Sequence, residues 1–391
     1  MGYKPVLISD IASINARQYS NKEQWPIIRY LDTGNVTKGK IGAPQVLDTS
    51  ADKVPSRARR KVKNASIVFS MVRPNQEHHA LLDYPPDDML VSTGFSVIDA
   101  DKSKVVPDYL YYALTTKEAT EHFQALAEQS VSTYPTLGID DLASFKIELP
   151  NIDVQRRVSF FLRMLDKKIA SNEQINDYLA ELADFYFKEM FNSLEANAQL
   201  SDITEVTMGQ SPVGTSYNEE GKGVVFYQGR GEFGWRYPTQ RLFTTEPKRM
   251  ALKGDVLMSV RAPVGDLNVA FEDCCIGRGL AAIHSDHRSY VLYLMRSLKT
   301  QLDAFNGEGT VFGSINGKAL KAFPIALPTI TAINEFESFA KPIDKSIRYN
   351  VQENRELEKL RDSLLPKLMS GEIDVSRVDI TQLNNHLAES P

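Results

Sequence analysis

LASFKIELP at residues 142–150 and LKAFPIALP at residues 320–328 are two versions of one segment, 178 residues apart. The same offset, without a gap, pairs LDKKI at 165–169 with IDKSI at 343–347. A repeat of this length is too long for a solenoid. The chain therefore contains two copies of one sequence unit, which predicts two homologous domains related by a pseudo-twofold axis.

Each unit begins with a β-rich part. SIVFSM at 66–71 corresponds to DVLMSV at 255–260, and both are short apolar runs typical of strands. Apolar residues recur at helical spacing at 109–114 and at 290–298, which predicts one helix in each unit. These parts should fold as mixed α/β globules.

Each unit ends in a long helical segment. Residues 152–192 contain neither Pro nor Gly, and apolar or Asn residues recur there at spacings of three and four, the pattern of a coiled-coil seam. The seam residues are Leu165, Ile169, Asn172, Asn176 and Leu179 in the first segment and Ile343, Ile347, Asn350, Asn354 and Leu357 in the second. We expect the two helices to pair antiparallel, with the asparagines near the middle, where polar seam positions set the register. Forty helical residues extend about 60 Å.

The fold class is therefore α+β, and the repeat gives the domain boundaries. These are a first globule at 1–150, a long helix at 151–198, a second globule at 199–328, a second long helix at 329–373 and a tail at 374–391.

Composition and charge restrict the possible functions. The 391 residues are 42% hydrophobic and 24% charged, as in soluble globular proteins. A formal charge of -5 excludes a histone-like polycation, so affinity for nucleic acid must come from local patches. Neither a secretory leader nor an apolar run of about 18 residues is present, so we expect a cytoplasmic protein with no membrane partner.

The cysteines and histidines carry no recognisable metal motif. Cys274 and Cys275 are adjacent, which excludes a long-range intrachain disulfide and a cysteine-based zinc site. We expect a partly buried pair of thiols and no metal site.

LDKKIASNEQINDYLAELADFYFKEMF at 165–191 and LLPKLMSGEI at 364–373 follow Leu-Pro steps at 149–150 and 327–328. These helical segments resemble the two conserved regions of the specificity subunit of type I restriction-modification enzymes. PSRARR at 55–60, SVRAPVG at 259–265 and the Gly277, Arg278, Gly279 turn resemble patterns in the family's target recognition domains. The resemblance covers nearly the whole chain, in the order recognition domain, helix, recognition domain, helix.

The resemblance implies a DNA sequence-specificity subunit without catalysis of its own, which recognises an asymmetric bipartite site in double-stranded DNA. By resemblance, two modification subunits would bind S-adenosylmethionine and methylate adenine. Restriction subunits would hydrolyse ATP, which needs Mg, and cut the DNA. No cofactor is then expected in this chain.

Two segments partly match catalytic motifs and therefore bear on the expectation that this chain has no catalytic activity of its own. DYPPD at 83–87 has the letters of a methyltransferase catalytic loop in the wrong order, and a Pro-rich surface loop is the simpler reading. GSINGKA at 313–319 falls short of a phosphate-binding loop, because Phe312 replaces the first Gly and Ala319 the Ser or Thr that would bind magnesium. A strand-to-helix turn is expected there. A self-contained DNA methyltransferase is thereby disfavoured.

A local excess of basic residues favours DNA binding by the first globule. Residues 53–73 include seven Lys or Arg and no acidic residue, which argues against a purely structural coiled-coil adaptor. The candidate DNA-binding residues here are Ser56, Arg57, Arg59, Arg60, Lys61, Lys63, Arg73, Ser132 and Thr133. We expect the stretch at 57–63 to contact mainly phosphate.

The basic residues of the second globule are interspersed with acidic and aromatic ones. Its candidates are Gln210, Ser211, Gln228, Arg230, Arg236, Arg241, Arg261 and Arg278. An arginine can pair with guanine or contact phosphate, and the sequence leaves both open. For Arg73 and Arg261, each just after an apolar strand, a packing role at the strand end is a third possibility.

Overall fold

The structure is a computed structural model that describes residues 3–20, 22–130, 134–307 and 313–375. The chain divides into two compact units, Met1–Ala170 with Asn354–Pro391 and Ser171–Glu353. Each of the two long helices contributes one part to each unit.

The first unit contains two four-stranded sheets. One is antiparallel throughout, in the order Ala12–Ile14, Phe95–Ala100, Ser66–Ser70 and His79–Leu81. The other has the order Gln45–Asp48, Ile27–Leu31, Met89–Ser92 and Ala58–Lys61, with one parallel pairing between its central strands. Smaller elements are the strand pairs Lys4–Leu7 with Lys146–Leu149 and Val36–Thr37 with Lys40–Ile41, and the helices Ile8–Ile11, Pro107–Leu114, Lys117–Glu128 and Ile139–Ala143.

The second unit repeats this topology. Its antiparallel sheet has the order Glu205–Met208, Leu280–His284, Val256–Ser259 and Leu267–Val269. Its other sheet has the order Tyr217–Asn218, Phe243–Thr244, Val224–Tyr227, Cys274–Ile276 and Met250–Ala251, again with one parallel pairing at the centre. The remaining elements are the strand pair Ala198–Gln199 with Pro324–Ile325 and the helices Arg288–Ser297, Lys299–Leu302 and Gly317–Lys321. The predicted internal repeat is thus confirmed at the level of strand order.

Two long helices, Ile152–Phe191 and Ile330–Met369, pair antiparallel within each unit. In the second unit Asn350 Nδ2 donates to Asn176 Oδ1 at 2.9 Å, and Asn172 Nδ2 donates to Glu353 Oε2 at 2.6 Å. In the first unit Asn354 Nδ2 donates to the Ile169 carbonyl at 3.2 Å. The ten residues assigned to the seam are all buried or half-buried, with the asparagines bonded across it.

An aspartate at equivalent positions of the two repeats links each globule to a long helix. Tyr112 Oη donates to Asp166 Oδ2 at 2.5 Å in the first unit, and Tyr293 Oη donates to Asp344 Oδ1 at 3.1 Å in the second. The two aspartates are the second residues of the repeated LDKKI and IDKSI segments. The repeat therefore preserves a contact between the globule and the helix as well as a helix sequence.

Cys274 and Cys275 lie in a buried strand, and both are free thiols. Burial raises the pKa of the Cys274 thiol, which keeps it protonated at neutral pH. Of the described helices, none is both long enough and apolar enough to span a membrane.

Candidate nucleic-acid interface

The basic stretch of the first unit forms an edge strand. Ala58–Lys61 is the last strand of its sheet, and it places the buried Ala58 against the core. Ser56, Arg57 and Lys63 are exposed at its ends, while Arg59, Arg60 and Lys61 are half-buried. The backbone of residues 17–19 covers the outer side of this strand, since the Tyr19 N–H donates to the Arg59 carbonyl at 2.8 Å and the Lys61 N–H donates to the Arg17 carbonyl at 3.2 Å. The basic surface strip is therefore formed by side chains, not by free backbone groups.

Acidic residues from other parts of the unit reduce the charge of this strip. Lys61 forms an ion pair with Glu23 and lies over the Trp25 ring, 5.0 Å from its centroid. Lys63 Nζ is 3.6 Å from Asp99 Oδ2. Arg57 is exposed and forms no ion pair with any described residue. The strip is therefore less positive than the sequence count of seven suggests.

Arg60 is constrained by its surroundings. Burial lowers the pKa of its guanidinium, and its Nε is buried without a hydrogen-bond partner in the described part of the chain. Its backbone bridges to Gln18. Gln18 lies four residues after Ile14, as Gln210 lies four after Val206, so the two glutamines are topological equivalents. The repeated Ser-Asp-Ile at 9–11 and 201–203, 192 positions apart, gives the same equivalence.

Arg73 lies at the end of an apolar strand in a left-handed conformation, with φ of 49°. Its backbone N–H donates to the Pro135 carbonyl at 2.9 Å, and its guanidinium lies over the Tyr134 ring, 4.7 Å from the centroid. The arginine is thus held against a half-exposed aromatic ring at the surface. Ser132 and Thr133, predicted to act nearby, lie outside the described residues.

Five candidates of the second unit converge on one pocket. Its volume is about 250 Å³, and it is lined by Ser211, Gln228, Arg230, Arg261 and Arg278. They come from four separated parts of the chain, which the two sheets bring together. Gln210 is exposed beside this pocket, and its backbone N–H donates to the Ile276 carbonyl at 2.9 Å.

Close backbone packing determines the shape of this pocket. A Cβ at Gly209 would lie 2.1 Å from the Gly277 carbonyl oxygen, and a Cβ at Gly277 would lie 2.8 Å from that of Gln228. The Arg278 N–H donates to Ser211 Oγ at 3.4 Å. Glycine is needed at 209 and 277 because no side chain fits between these segments.

Arg236 is buried, so it is not one of the exposed arginines that could contact DNA. Its side chain is only 3% exposed, its Nη1 donates to Asp344 Oδ1 at 2.5 Å, and its Nη2 donates to Tyr293 Oη at 3.2 Å. Burial opposes its charge, but Tyr293 and Asp344 raise the pKa of the guanidinium above its usual value. The physical role of Arg236 is to complete the contact between the globule and the helix.

Arg241 is at the surface but outside the pocket. It pairs with Glu219 at 3.2 Å and with Glu232 at 3.1 Å. A guanidinium with two carboxylate partners has less to gain from a phosphate than an unpaired one.

A larger cavity of about 530 Å³ also lies in the second unit. Its charged lining consists of four basic and two acidic side chains: Arg296 pairs bidentately with Asp184, and Lys299 pairs with Asp266 at 3.1 Å. The lining is basic in sum, but three of its four basic side chains already have a carboxylate partner and so bind a phosphate less favourably than unpaired ones would.

The two segments that partly match catalytic motifs occupy ordinary structural positions. In the first, Asp83 pairs with Arg163, and Tyr84 is 83% exposed in a surface loop. In the second, Asn316 caps the short helix Gly317–Lys321 by accepting from the Ala319 N–H at 2.9 Å. Among the described residues no group of three or more His, Cys, Asp or Glu is arranged to hold a metal ion.

Comparison with known proteins decides the family. The profile described as type I restriction modification DNA specificity domain matches twice, over residues 2–181 and 195–359. The chain belongs to this family. It is a specificity subunit of a type I restriction-modification system, and its two domains are the recognition domains of that family.

Relatives of this specificity subunit agree with the assignment. It is 29% identical to the putative type I restriction enzyme MjaX specificity subunit of Methanocaldococcus jannaschii, with 93% of this chain and 90% of the relative covered. It is also 29% identical to the type I restriction enzyme HindI specificity subunit of Haemophilus influenzae, over 51% of this chain and 44% of the relative. The crystal structure of the S subunit of the type I restriction-modification system from M. genitalium has the same fold, with a TM-score of 0.60 at 17% identity, covering 94% of this chain and 96% of that one.

Proposed function

We propose that this specificity subunit recognises an asymmetric bipartite site in double-stranded DNA, with one half read by each recognition domain. The observation that carries the proposal is one topology with two different polar surfaces. The first domain presents the basic edge strand Ala58–Lys61 and the Arg73 side chain over Tyr134. The second presents a pocket lined by Arg261, Arg278 and polar neighbours. Equivalent frameworks with dissimilar contact residues favour different half-sequences.

The proposed partners are two modification subunits and, in the complete enzyme, restriction subunits. Four large apolar side chains of the first long helix are exposed: Ile175, Tyr178, Leu182 and Phe185, at 44%, 60%, 48% and 61%. Their spacings of three and four residues place them on one helical face. We assign this apolar face to a helix of a modification subunit, because a row of large exposed apolar side chains favours burial against a partner.

In this proposal the chemistry belongs to the partners. The modification subunits bind S-adenosylmethionine and methylate adenine, the restriction subunits use ATP and Mg, and the specificity subunit holds no cofactor. The complex would act in the cytoplasm, where its DNA is.

The experiment compares the purified chain with its complex with the modification subunit. Specific DNA binding and transfer of a labelled methyl group from S-adenosylmethionine are measured for both. We expect no methyl transfer by the chain alone and sequence-dependent transfer by the complex. Methylation by the chain alone would show an enzyme instead, and the absence of any DNA dependence in both states would show an adaptor.

A further inference from the structure

We propose that the pocket of the second domain reads guanine, and that Arg261 and Arg278 are the specificity-determining residues. This inference rests on the DNA-recognition function proposed above and adds the identity of bases in one half-site.

The three arginines of the pocket differ in whether their guanidinium groups have an acidic partner. Arg230, in the same pocket, is engaged by Asp266 at 2.9 Å. Arg261 and Arg278 are exposed and have no acidic partner in the described part of the chain. They enter a complex with all their side-chain donors available, so DNA need not displace a carboxylate to bind them.

Hydrogen bonds fix the backbone that carries Arg261 and Arg278. Arg261 bridges to Ser314, and the flanking Val260 N–H donates to the Gly279 carbonyl at 2.9 Å. Arg278 lies between Gly277 and Gly279, whose N–H groups donate to the Tyr227 carbonyl at 2.8 Å and the Gln228 carbonyl at 3.3 Å. Base discrimination requires side chains that start from a defined position, and these bonds provide it.

The hydrogen-bonding groups of the pocket suit a base better than a phosphate. A phosphate offers acceptors only, so its ideal site consists of donors. This pocket also contains the Gln228 amide and the Ser211 hydroxyl, which can both donate and accept. A mixture of donors and acceptors matches the edge of a base pair, because guanine offers acceptors there and the paired cytosine offers its N4 amino donor.

Among the bases, guanine fits an arginine side chain best. The major-groove edge of guanine presents two acceptors, N7 and O6, to the two parallel donors of an arginine. Adenine replaces one of these acceptors with an amino group, which would face a guanidinium donor without a partner. The Gln228 amide is suited to an adjacent adenine by the same geometry.

The test is methylation mapping with the reconstituted complex of specificity and modification subunits. R261A and R278A should each relax one position, both within the same half-site, and each relaxed position should be guanine in the wild-type site. Loss of one bidentate contact should reduce discrimination there about 10- to 100-fold. R241A removes a surface arginine outside the pocket and should leave the site unchanged.

The lysine variants R261K and R278K distinguish the base from the phosphate interpretation. They keep the charge but lose the two-pronged donor, so guanine selectivity should fall while the salt dependence of binding stays the same. If alanine variants instead weaken binding to all sequences equally and lower the salt slope, the arginines contact phosphate and the proposal is wrong. A wild-type site without guanine in either half would also overturn it.

Failure of the proposed function would look different. A wild-type complex that methylates without sequence preference would refute DNA recognition itself, whatever the arginine variants do. Thermal unfolding of each variant is measured alongside, and an alanine variant that does not fold is replaced by its lysine counterpart.

Discussion

Arg236 and Arg241 carry the same charge at different depths, and depth decides what each contributes to stability. The Arg236 side chain is 3% exposed beside Asp344, whereas Arg241 is 59% exposed between two glutamates. A buried pair is costly to break because the remaining charge stays out of water. An exposed pair contributes little because water and salt screen it.

We therefore expect Arg236→Ala to lower the free energy of unfolding by about 3–5 kcal/mol, since it leaves the Asp344 carboxylate without its guanidinium. Arg241→Ala should cost at most about 1 kcal/mol. Urea denaturation of both variants measures the difference. The double variant R236M/D344L should recover part of the loss, because apolar side chains fill the site without a buried charge. Equal stability of the two single variants would contradict the buried-pair assignment.

The basic edge strand leads to a prediction about salt. Neutralising Arg59, Arg60 and Lys61 together should weaken binding to all DNA sequences and lower the log-log salt slope by about one unit per lost phosphate contact. Lys61 should contribute least, because Glu23 already pairs with it. Fluorescence anisotropy at several salt concentrations measures the slope. The control is Lys117→Ala, an exposed lysine on the helix Lys117–Glu128.

The phosphate assignment of this strip has a clear opposite outcome. A triple variant with an unchanged salt slope but an altered base preference would mean that the strip reads bases.

The spacing of residues in the sequence only partly predicts which arginines are available to contact DNA. The run at 57–61 is recognisable because its charges are adjacent in sequence, and it is a surface strand in the structure. The burial of Arg236 depends on Asp344, 108 positions away, so no local pattern reveals it. The pairing of Lys61 with Glu23 is hidden in the same way.

At the scale of elements, the repeated segments predict the helices and their contacts well. The aspartates of LDKKI and IDKSI accept from equivalent tyrosines, but a different arginine completes each site. Arg361 of the second long helix pairs with Asp166 at 3.0 Å, whereas Arg236 of the second domain pairs with Asp344. No local sequence pattern predicts the pocket of the second domain, because strand pairing brings its residues together from loops that are far apart in sequence.

The exposed apolar face of the first long helix gives a prediction about assembly. Replacing Tyr178, Leu182 and Phe185 with Ser should weaken binding of the modification subunit strongly, because that face would then lose most of its apolar contact area. The chain itself should keep its melting temperature within a few degrees, since these side chains are already exposed. Pull-down or analytical ultracentrifugation of the two subunits measures the effect.

Neighbouring polar positions provide the matched control for this helix face. Asp177→Asn and Glu181→Gln change exposed residues of the same helical turns and should leave complex formation intact. Full binding by the triple Ser variant would show that the modification subunit uses another surface.

At the scale of the whole molecule, the strand order repeats and the contact surfaces do not. The second domain has a three-residue Gly277, Arg278, Gly279 turn after its central strand, where the first has only Thr93 and Gly94. Differences of this kind leave the framework intact, because they lie between strands rather than in them. They allow one repeated fold to read two different half-sites.

A bipartite site also needs a defined gap, and we expect the two long helices to set it. Each helix continues without interruption through the position where the chain divides into its units, at 170–171 or 353–354. Inserting seven residues after position 174 and seven after position 352 keeps the heptad pattern and adds about 10 Å of helix. Since one base pair rises about 3.4 Å, the spacer should lengthen by about three base pairs while both half-sites stay the same.

Inserting four residues near Asn172 to Asn176 of the first helix alone should shift it against its partner and abolish specific binding, because the Asn176 bond to Asn350 is lost. Methylation mapping of the reconstituted complex measures the spacer. A gap that is unchanged by the paired insertion, or that varies freely in the wild type, would show that the helices do not determine it.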